Sequence, residues 1–278
     1  MHRLDASQIS ASNFSYLRFP LERWLDDMAE LEVENVELWG VSPHLYVEDA
    51  RPADVERVRA AIAARGLNLT CFTPEQVMYP INIAAREDRI RERSVEYFFK
   101  CVEACNGLEC PKLFLTPGWG YVGEDQDEIW KRSAHSLRRI VERAAEHGVT
   151  AVLEALQPVE SHVINGSAQL RRMLDEVGHP GMKAAVDVPA MAVAGETVAD
   201  YTRAFGADLA HAHFVDGAPD GHLAWGDGEL PLERYLQEFA EGGFTGYLSF
   251  ELIASRYWLD PLPPVRQSIE RIKAALAA

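Results

Sequence analysis

What most limits the fold of this chain is an alternation, repeated eight times through 278 residues, of a short apolar run suited to a buried strand and a helical stretch. The strand candidates are QISAS, NVELWG, LNLTCF, KLFLT, TAVLEAL, KAAVD, LAHAHF and GYLSFE. Most are apolar along their length, as a parallel sheet covered on both faces requires. Helical stretches follow at about 20–31, 53–65, 87–105 and 126–147, from NGSAQ to Gly178, at about 196–205, and in PLERYLQEFAE and VRQSIERIKAALAA. Pro20 suits a first helical turn, Gly66 a helix stop and NGSAQ a capped start.

Eight units of roughly 34 residues match the count and length of a single (β/α)8 TIM barrel, with residues 1–278 as one domain. An open doubly wound sheet also alternates, but the eight full units and the lack of a GxGxxG after the first strand put it second. The chain has no linker, low-complexity tract or short repeat. The Gly-, Asp- and Pro-rich stretch from Val215 to Leu230 reads as an active-site loop, because loops at strand exits carry function in barrels.

Composition narrows the partners. A formal charge of -16 argues against a surface that neutralises phosphates, and against adhesion to anionic membranes, so neither nucleic acid nor membrane is expected. No apolar stretch approaches the ~20 residues of a membrane span. MHRLDASQIS carries Asp5 and Gln8 where a signal peptide needs its apolar core, so the expected location is the cytoplasm. Cys71, Cys101, Cys105 and Cys110 form no CxxC pair and read as reduced, partly buried thiols.

Four of the strand runs stop at a group able to hold a cation or move a proton: Glu154, Asp187, His213 and Glu251. In a barrel, the exits of strands five to eight are neighbours at the catalytic face, so these side chains converge. Three carboxylates and one imidazole make an oxygen-rich donor set that suits Mn2+, Mg2+ or Co2+ better than a structural zinc. His211 shares a strand face with His213 and leaves the choice of ligand open, although His213 lies closer to the strand exit.

A cation there would stabilise the enediolate formed when a carbon beside a sugar carbonyl loses its proton. A carboxylate would take that proton. Two glutamates on opposite sides of the carbon, Glu154 and Glu251, allow removal on one face and return on the other, which is epimerisation. One face with proton movement between oxygens gives aldose-ketose isomerisation instead. Glu160 and His222, in loops after strands five and seven, are candidates to meet substrate. His44, Glu75 and Trp119 follow strands two, three and four and are expected at the pocket mouth, where Trp119 or Trp39 would stack on a sugar ring. The glycines of WGDG permit a tight turn and are a weak phosphate signal.

VELWGVSPHLY, TPEQVMYPIN, LEALQPVESHVIN, AAVDVPA, HAHFVDG with GHLAWGDGELPL, and SFELI followed by ASRYWLDPLPPVRQ together resemble the xylose-isomerase-like sugar isomerases and epimerases. Within that family the chain is most similar to the fructoselysine 3-epimerase branch, related to the ketose 3-epimerases. The resemblance implies a barrel whose divalent metal, usually Mn2+, is held by Glu154, Asp187, His213 and Glu251. It also implies that the two glutamates act as the acid/base pair and that Glu160 contacts a small-molecule sugar. The ketose 3-epimerases carry a histidine where Ala190 stands here and an arginine where Pro219 stands, which turns the expectation away from free allulose or tagatose.

The leading expectation is therefore a metal-dependent epimerase of a ketose or ketose derivative, acting at C3. The alternative is a lyase or dehydratase on a keto-sugar or keto-glycoside, with the same base but expulsion of a group. Apurinic endonucleases share the barrel but need a basic groove and more zinc ligands; a binding protein on a degenerate barrel would not need all four ligands. Trp258 among loop prolines suggests a surface for homo-oligomer formation.

Overall fold

The computed structural model describes residues 4–77 and 80–277. Its strands are β1 (Ile9–Ser12), β2 (Asn35–Gly40), β3 (Asn68–Pro74), β4 (Lys112–Leu115), β5 (Thr150–Leu153), β6 (Met182–Asp187), β7 (Leu209–His213) and β8 (Tyr247–Phe250). Each pairs in parallel with its sequence neighbours, and β8 closes on β1. The expected closed (β/α)8 barrel is what forms, and the doubly wound alternative is excluded.

The helices are α1 (Leu21–Glu30), α2 (Pro52–Ala63), α3 (Asp88–Leu108), α4 (Gln126–Glu146), α5 (Ser167–Val177), α6 (Val188–Val193), α7 (Val198–Phe205), α8 (Leu232–Glu241) and α9 (Leu262–Ala277). Their packing follows from spacing. α1 buries Leu21, Trp24, Leu25 and Met28, and α8 buries Leu232, Tyr235, Leu236 and Phe239, the same i, i+3, i+4, i+7 stripe on one helical face. Each such side chain contributes about 1.5–3 kcal/mol by leaving water, so Leu25→Ala or Leu236→Ala would remove part of the seal between ring and barrel.

Inside the barrel, side chains alternate in and out along each strand, so the inward set recurs every second residue. Cys71, Phe114, Val152 and Ala185 make one small buried layer. Two residues further along the same strands stand Thr73, Thr116, Glu154 and Asp187, the next layer toward the strand exits. Register extends that layer: Asp187 pairs with His213, and His213 with Ser249, two residues before Glu251.

Several boundaries differ from expectation. The β5 ladder stops at Leu153, so Glu154 is the first residue past the strand. A short α6 follows Asp187, whose carboxylate caps it by accepting the Ala190 N–H at 2.7 Å. The start of α5 has no side-chain cap of its own; Glu196 takes the Ser167 N–H and hydroxyl instead. α9 begins three residues before Val265, with Pro263 and Pro264 in its first turn, where their missing N–H groups are not needed. The expectations touching Met1–Arg3, Met78, Tyr79 and Ala278 lie outside the described residues. Among those described, no helix is long and apolar enough to cross a membrane. All four cysteines are free and buried.

Candidate active site

Glu154, Asp187, His213 and Glu251 meet at the strand exits. The Nδ1 of His213 lies 3.4 Å from Glu251 Oε2, 3.6 Å from Glu154 Oε2 and 3.9 Å from Asp187 Oδ2. It is buried and has no hydrogen-bond partner. Burying an unsatisfied polar atom is unfavourable, and three carboxylates on strands five, six and eight aimed at one bare nitrogen repel one another. A divalent cation resolves both problems, so the donor set fits one. Ligand atoms of Glu154, Asp187 and His213 lie within 4.8 Å of each other, as do those of Asp187, His222 and Glu251.

The opposite nitrogen of His213 is tied down. Its Nε2 is 3.0 Å from Glu37 Oε1, and the Nε2 of His211 is 2.8 Å from Glu37 Oε2. The His213 ring also stacks on Phe114 at 4.4 Å and 20°. His211 is thus a buried supporting residue one layer down, turned to Glu37 rather than to the acids. His222 does reach the cluster: its Nε2 is 2.8 Å from Asp187 Oδ2 and 3.7 Å from Glu251 Oε2.

Electrostatics follow from this crowding. Burial, with like charge from Asp187 and Glu251, pushes Glu154 up to about 8 despite His213. Burial likewise raises Glu251 to about 7 against the pull of His213 and His222. Asp187 is also buried, yet His222 and His213 hold it below the usual carboxylate range. Burial opposes charge on His222, but Asp187 and Glu251 lift it to about 9. Burial acts against His213 too, and Glu251, Glu37 and Glu154 overcome it and raise the ring well above an ordinary histidine. With no metal ion, protons supply the positive charge that this site demands.

The acids form the floor of a cleft of about 220 Å3 whose walls include Trp39, Phe14, Glu75, Gln76, Glu160, His222 and Ile253. Phe14 and Trp39 stack at 3.9 Å and offer an apolar face. Glu160 accepts the Gln157 N–H at 3.0 Å, and burial, then the charge of Asp187, raises its carboxyl.

Two residues expected at the mouth do not line the cleft itself. His44 is buried outside the cleft wall: its Nε2–H donates to the Phe19 carbonyl at 2.8 Å, so its Nδ1 accepts from the Asn13 amide at 2.6 Å. It acts indirectly, since Asn13 Oδ1 in turn accepts the Trp39 N–H. Trp119 lines a neighbouring cavity with Tyr121, Arg86 and Ile90, and a second one with Val77 and Glu160, which also line the cleft, so it stands beside the mouth. Ala190 and Pro219 also lie outside the cleft wall. WGDG binds no phosphate-like geometry either: the N–H groups of Gly226 and Gly228 go to Asp216.

Sequence reading missed Glu37, Phe14 and Gln76. Glu37 did leave a signal, as the one charged side chain inside the apolar run NVELWG. Gln76 joins two strand ends, taking the Thr116 N–H and donating to the Phe114 carbonyl.

Comparison with known proteins places this geometry in context. The family model for xylose isomerase-like TIM barrels matches residues 25–275. A fructoselysine 3-epimerase from Shigella flexneri is 28% identical over 261 residues, which cover 93% of this chain and 94% of that one. Among solved structures, an L-ribulose 3-epimerase superposes with a TM-score of 0.85 at 20% identity, covering 97% of this chain and 94% of the other. A 3-keto-D-glucoside 4-epimerase from E. coli gives 0.82 at 20% identity, covering 96% and 99%.

Proposed function

The chain belongs to the xylose isomerase-like TIM barrel family, and from that premise we propose that it is a sugar epimerase that inverts C3 of a ketose or ketose derivative through an enediolate. The observation that carries this reading is the approach of Glu154 and Glu251, from strands on different sides of the ring, to one bare imidazole nitrogen on the cleft floor. The three relatives described above are all epimerases of sugars or sugar derivatives, which supports it.

Glu154, Asp187, His213 and Glu251 would hold the divalent cation, Mn2+ first and Mg2+ or Co2+ as alternates. When bound, the cation supplies Lewis-acid stabilisation of negative charge on the substrate oxygens. The residues of this chain do the rest. One of Glu154 and Glu251 takes the C3 proton and the other returns one to the opposite face. Burial and repulsion from neighbouring carboxylates, which raise both carboxyls, also make their ionised forms stronger bases than a solvated glutamate. Trp39, braced by Phe14, packs on the apolar face of the sugar, while Glu75 and Glu160 face its hydroxyls at the rim. His222 steadies the Asp187 oxygen that the Ala190 N–H does not use.

The test is incubation of purified protein with Mn2+ and a panel of keto-sugars and their amine adducts in deuterated water. The expected result is incorporation of one deuterium at C3 with the mass otherwise unchanged. Absence of exchange across the panel, or a product that has lost water or an aglycone, overturns the epimerase reading.

A further inference from the structure

Directly beneath the three acids and the histidine, Glu37 is completely buried in β2. Three donors meet its two oxygens. Oε1 takes the Thr73 hydroxyl and faces His213 Nε2 at 3.0 Å; Oε2 faces His211 Nε2 at 2.8 Å. An ionised carboxylate has only lone pairs to offer, so both rings must present N–H to it. A protonated Glu37 would satisfy one ring nitrogen at most and leave the other to donate regardless.

The consequence appears at the other side of each ring. With each Nε2–H turned to Glu37, the Nδ1 lone pair is the one ring position left to take a proton or a cation, and both Nδ1 atoms are buried without a hydrogen-bond partner. For His211 that lone pair is a passive cost, in a pocket shared with the edge of Phe114. For His213 it points at Glu154, Asp187 and Glu251. The stack on Phe114 and the bond to Glu37 together hold the plane of the His213 ring.

We infer that Glu37 is the positioning residue of the site: by accepting from both imidazoles it fixes His213 in the tautomer that offers Nδ1 as a ligand, and His211 keeps Glu37 in place. This assignment rests on the cation-site reading under Proposed function. A carboxylate behind a ligating histidine fixes the ring, raises its basicity, and when removed typically weakens the metal by 10–100-fold.

Glu37→Gln tests it, because the amide keeps the shape but has one acceptor oxygen for three donors and no charge. The measurements are calorimetric titration of the cation-free protein with Mn2+ and its thermal midpoint without Mn2+. The expected result is one Mn2+ per wild-type chain, with affinity lowered tenfold to a hundredfold in Glu37→Gln; a cation-free midpoint that falls but stays well above the titration temperature shows that the lost affinity is not unfolding. Wild-type affinity in the variant overturns the assignment alone, leaving the cation site standing. A wild-type stoichiometry of two that falls to one in Glu37→Gln also overturns it, by making Glu37, Cys71 and His211 a second metal site. Wild-type protein that takes up no Mn2+ overturns the cation-site reading and this assignment with it. Should Glu37→Gln fail to fold, long-range proton–nitrogen correlation spectra of wild type with Mg2+ decide the point. Both rings should carry their proton on Nε2; a proton on Nδ1 of His213 with the cation bound overturns the assignment.

Discussion

Asp216 and the Glu154–Glu251 pair are all buried acids just beyond strand ends, yet they are treated in opposite ways. Asp216 is 2% exposed and receives four backbone N–H groups: Gly217 at 2.8 Å and Leu230 at 3.0 Å on Oδ1, Gly226 at 2.8 Å and Gly228 at 2.9 Å on Oδ2. A Cβ on Gly228 would come within 2.4 Å of Oδ1, which is why glycine stands there. Glu154 and Glu251 receive no backbone N–H among the described residues and face an imidazole and each other's charge. A carboxylate whose lone pairs are all served is a knot in a loop. Carboxylates left to repel around a bare nitrogen hold free energy in reserve for whatever binds there.

The sharpest way to break this contrast is to neutralise each kind of acid. Glu154→Gln and Glu251→Gln should each lower solvent-deuterium exchange into substrate by about a thousandfold, the scale of a lost general base. Their cation-free thermal midpoints should stay level near pH 7 and rise above wild type at about pH 9, where the native carboxylates are ionised and repel. Asp216→Ala should do the reverse. Leaving four buried N–H groups unserved should cost about 3 kcal/mol in urea unfolding, with exchange per folded molecule kept within a few-fold. If Glu154→Gln melts early while Asp216→Ala does not, the roles are wrongly divided.

The contrast also has a pH signature. Glu154 and Glu251 rise from 4.5 to about 8 and about 7, and His222 from 6.5 to about 9. Each folded-state value lies above its unfolded one, so their stabilising contribution is complete below the unfolded values and is lost as pH rises through the folded ones. Cation-free protein should therefore lose stability steadily from about pH 5 to pH 9, and Mn2+ should flatten that slope by replacing the protons. Thermal midpoints with and without Mn2+ across this range check it. Parallel curves would mean that the cation does not compete with these protons.

How much of this was legible in the sequence depended on locality. The three acids and the imidazole could be read because each interrupts an apolar run at its end, and barrel closure then brings consecutive strand exits together without further knowledge. Glu37 could be seen as odd within NVELWG, but its partners lie 174 and 176 residues away, and nothing local names them. His44 and Trp119 were placed by loop position alone. Loops choose their own direction: the Phe19 carbonyl and Asn13 hold His44 off the cleft wall, and Trp119 packs on Tyr121 beside the mouth. WGDG, a weak phosphate signal in the sequence, is accounted for once Asp216 is seen to take the Gly226 and Gly228 N–H groups.

Glu160 stands between the two kinds of acid and gives the smallest and most discriminating test. One of its oxygens accepts the Gln157 N–H within its own turn, as a loop acid would; the side chain also lines the cleft and is raised by burial and by Asp187. In Glu160→Gln the amide oxygen can still accept from Gln157, so the turn should hold and the thermal midpoint should move little. What is lost is a charged acceptor for a sugar hydroxyl. A hydrogen bond to a charged group is worth about 1.5–3 kcal/mol, of which a neutral acceptor recovers part, so KM should rise about tenfold with kcat nearly unchanged. A lower midpoint with unaltered KM would move Glu160 into the class of Asp216, as an acid spent on its own loop. A fall in kcat without change in KM would move it the other way, to a group whose contact with the sugar forms only as the proton is transferred.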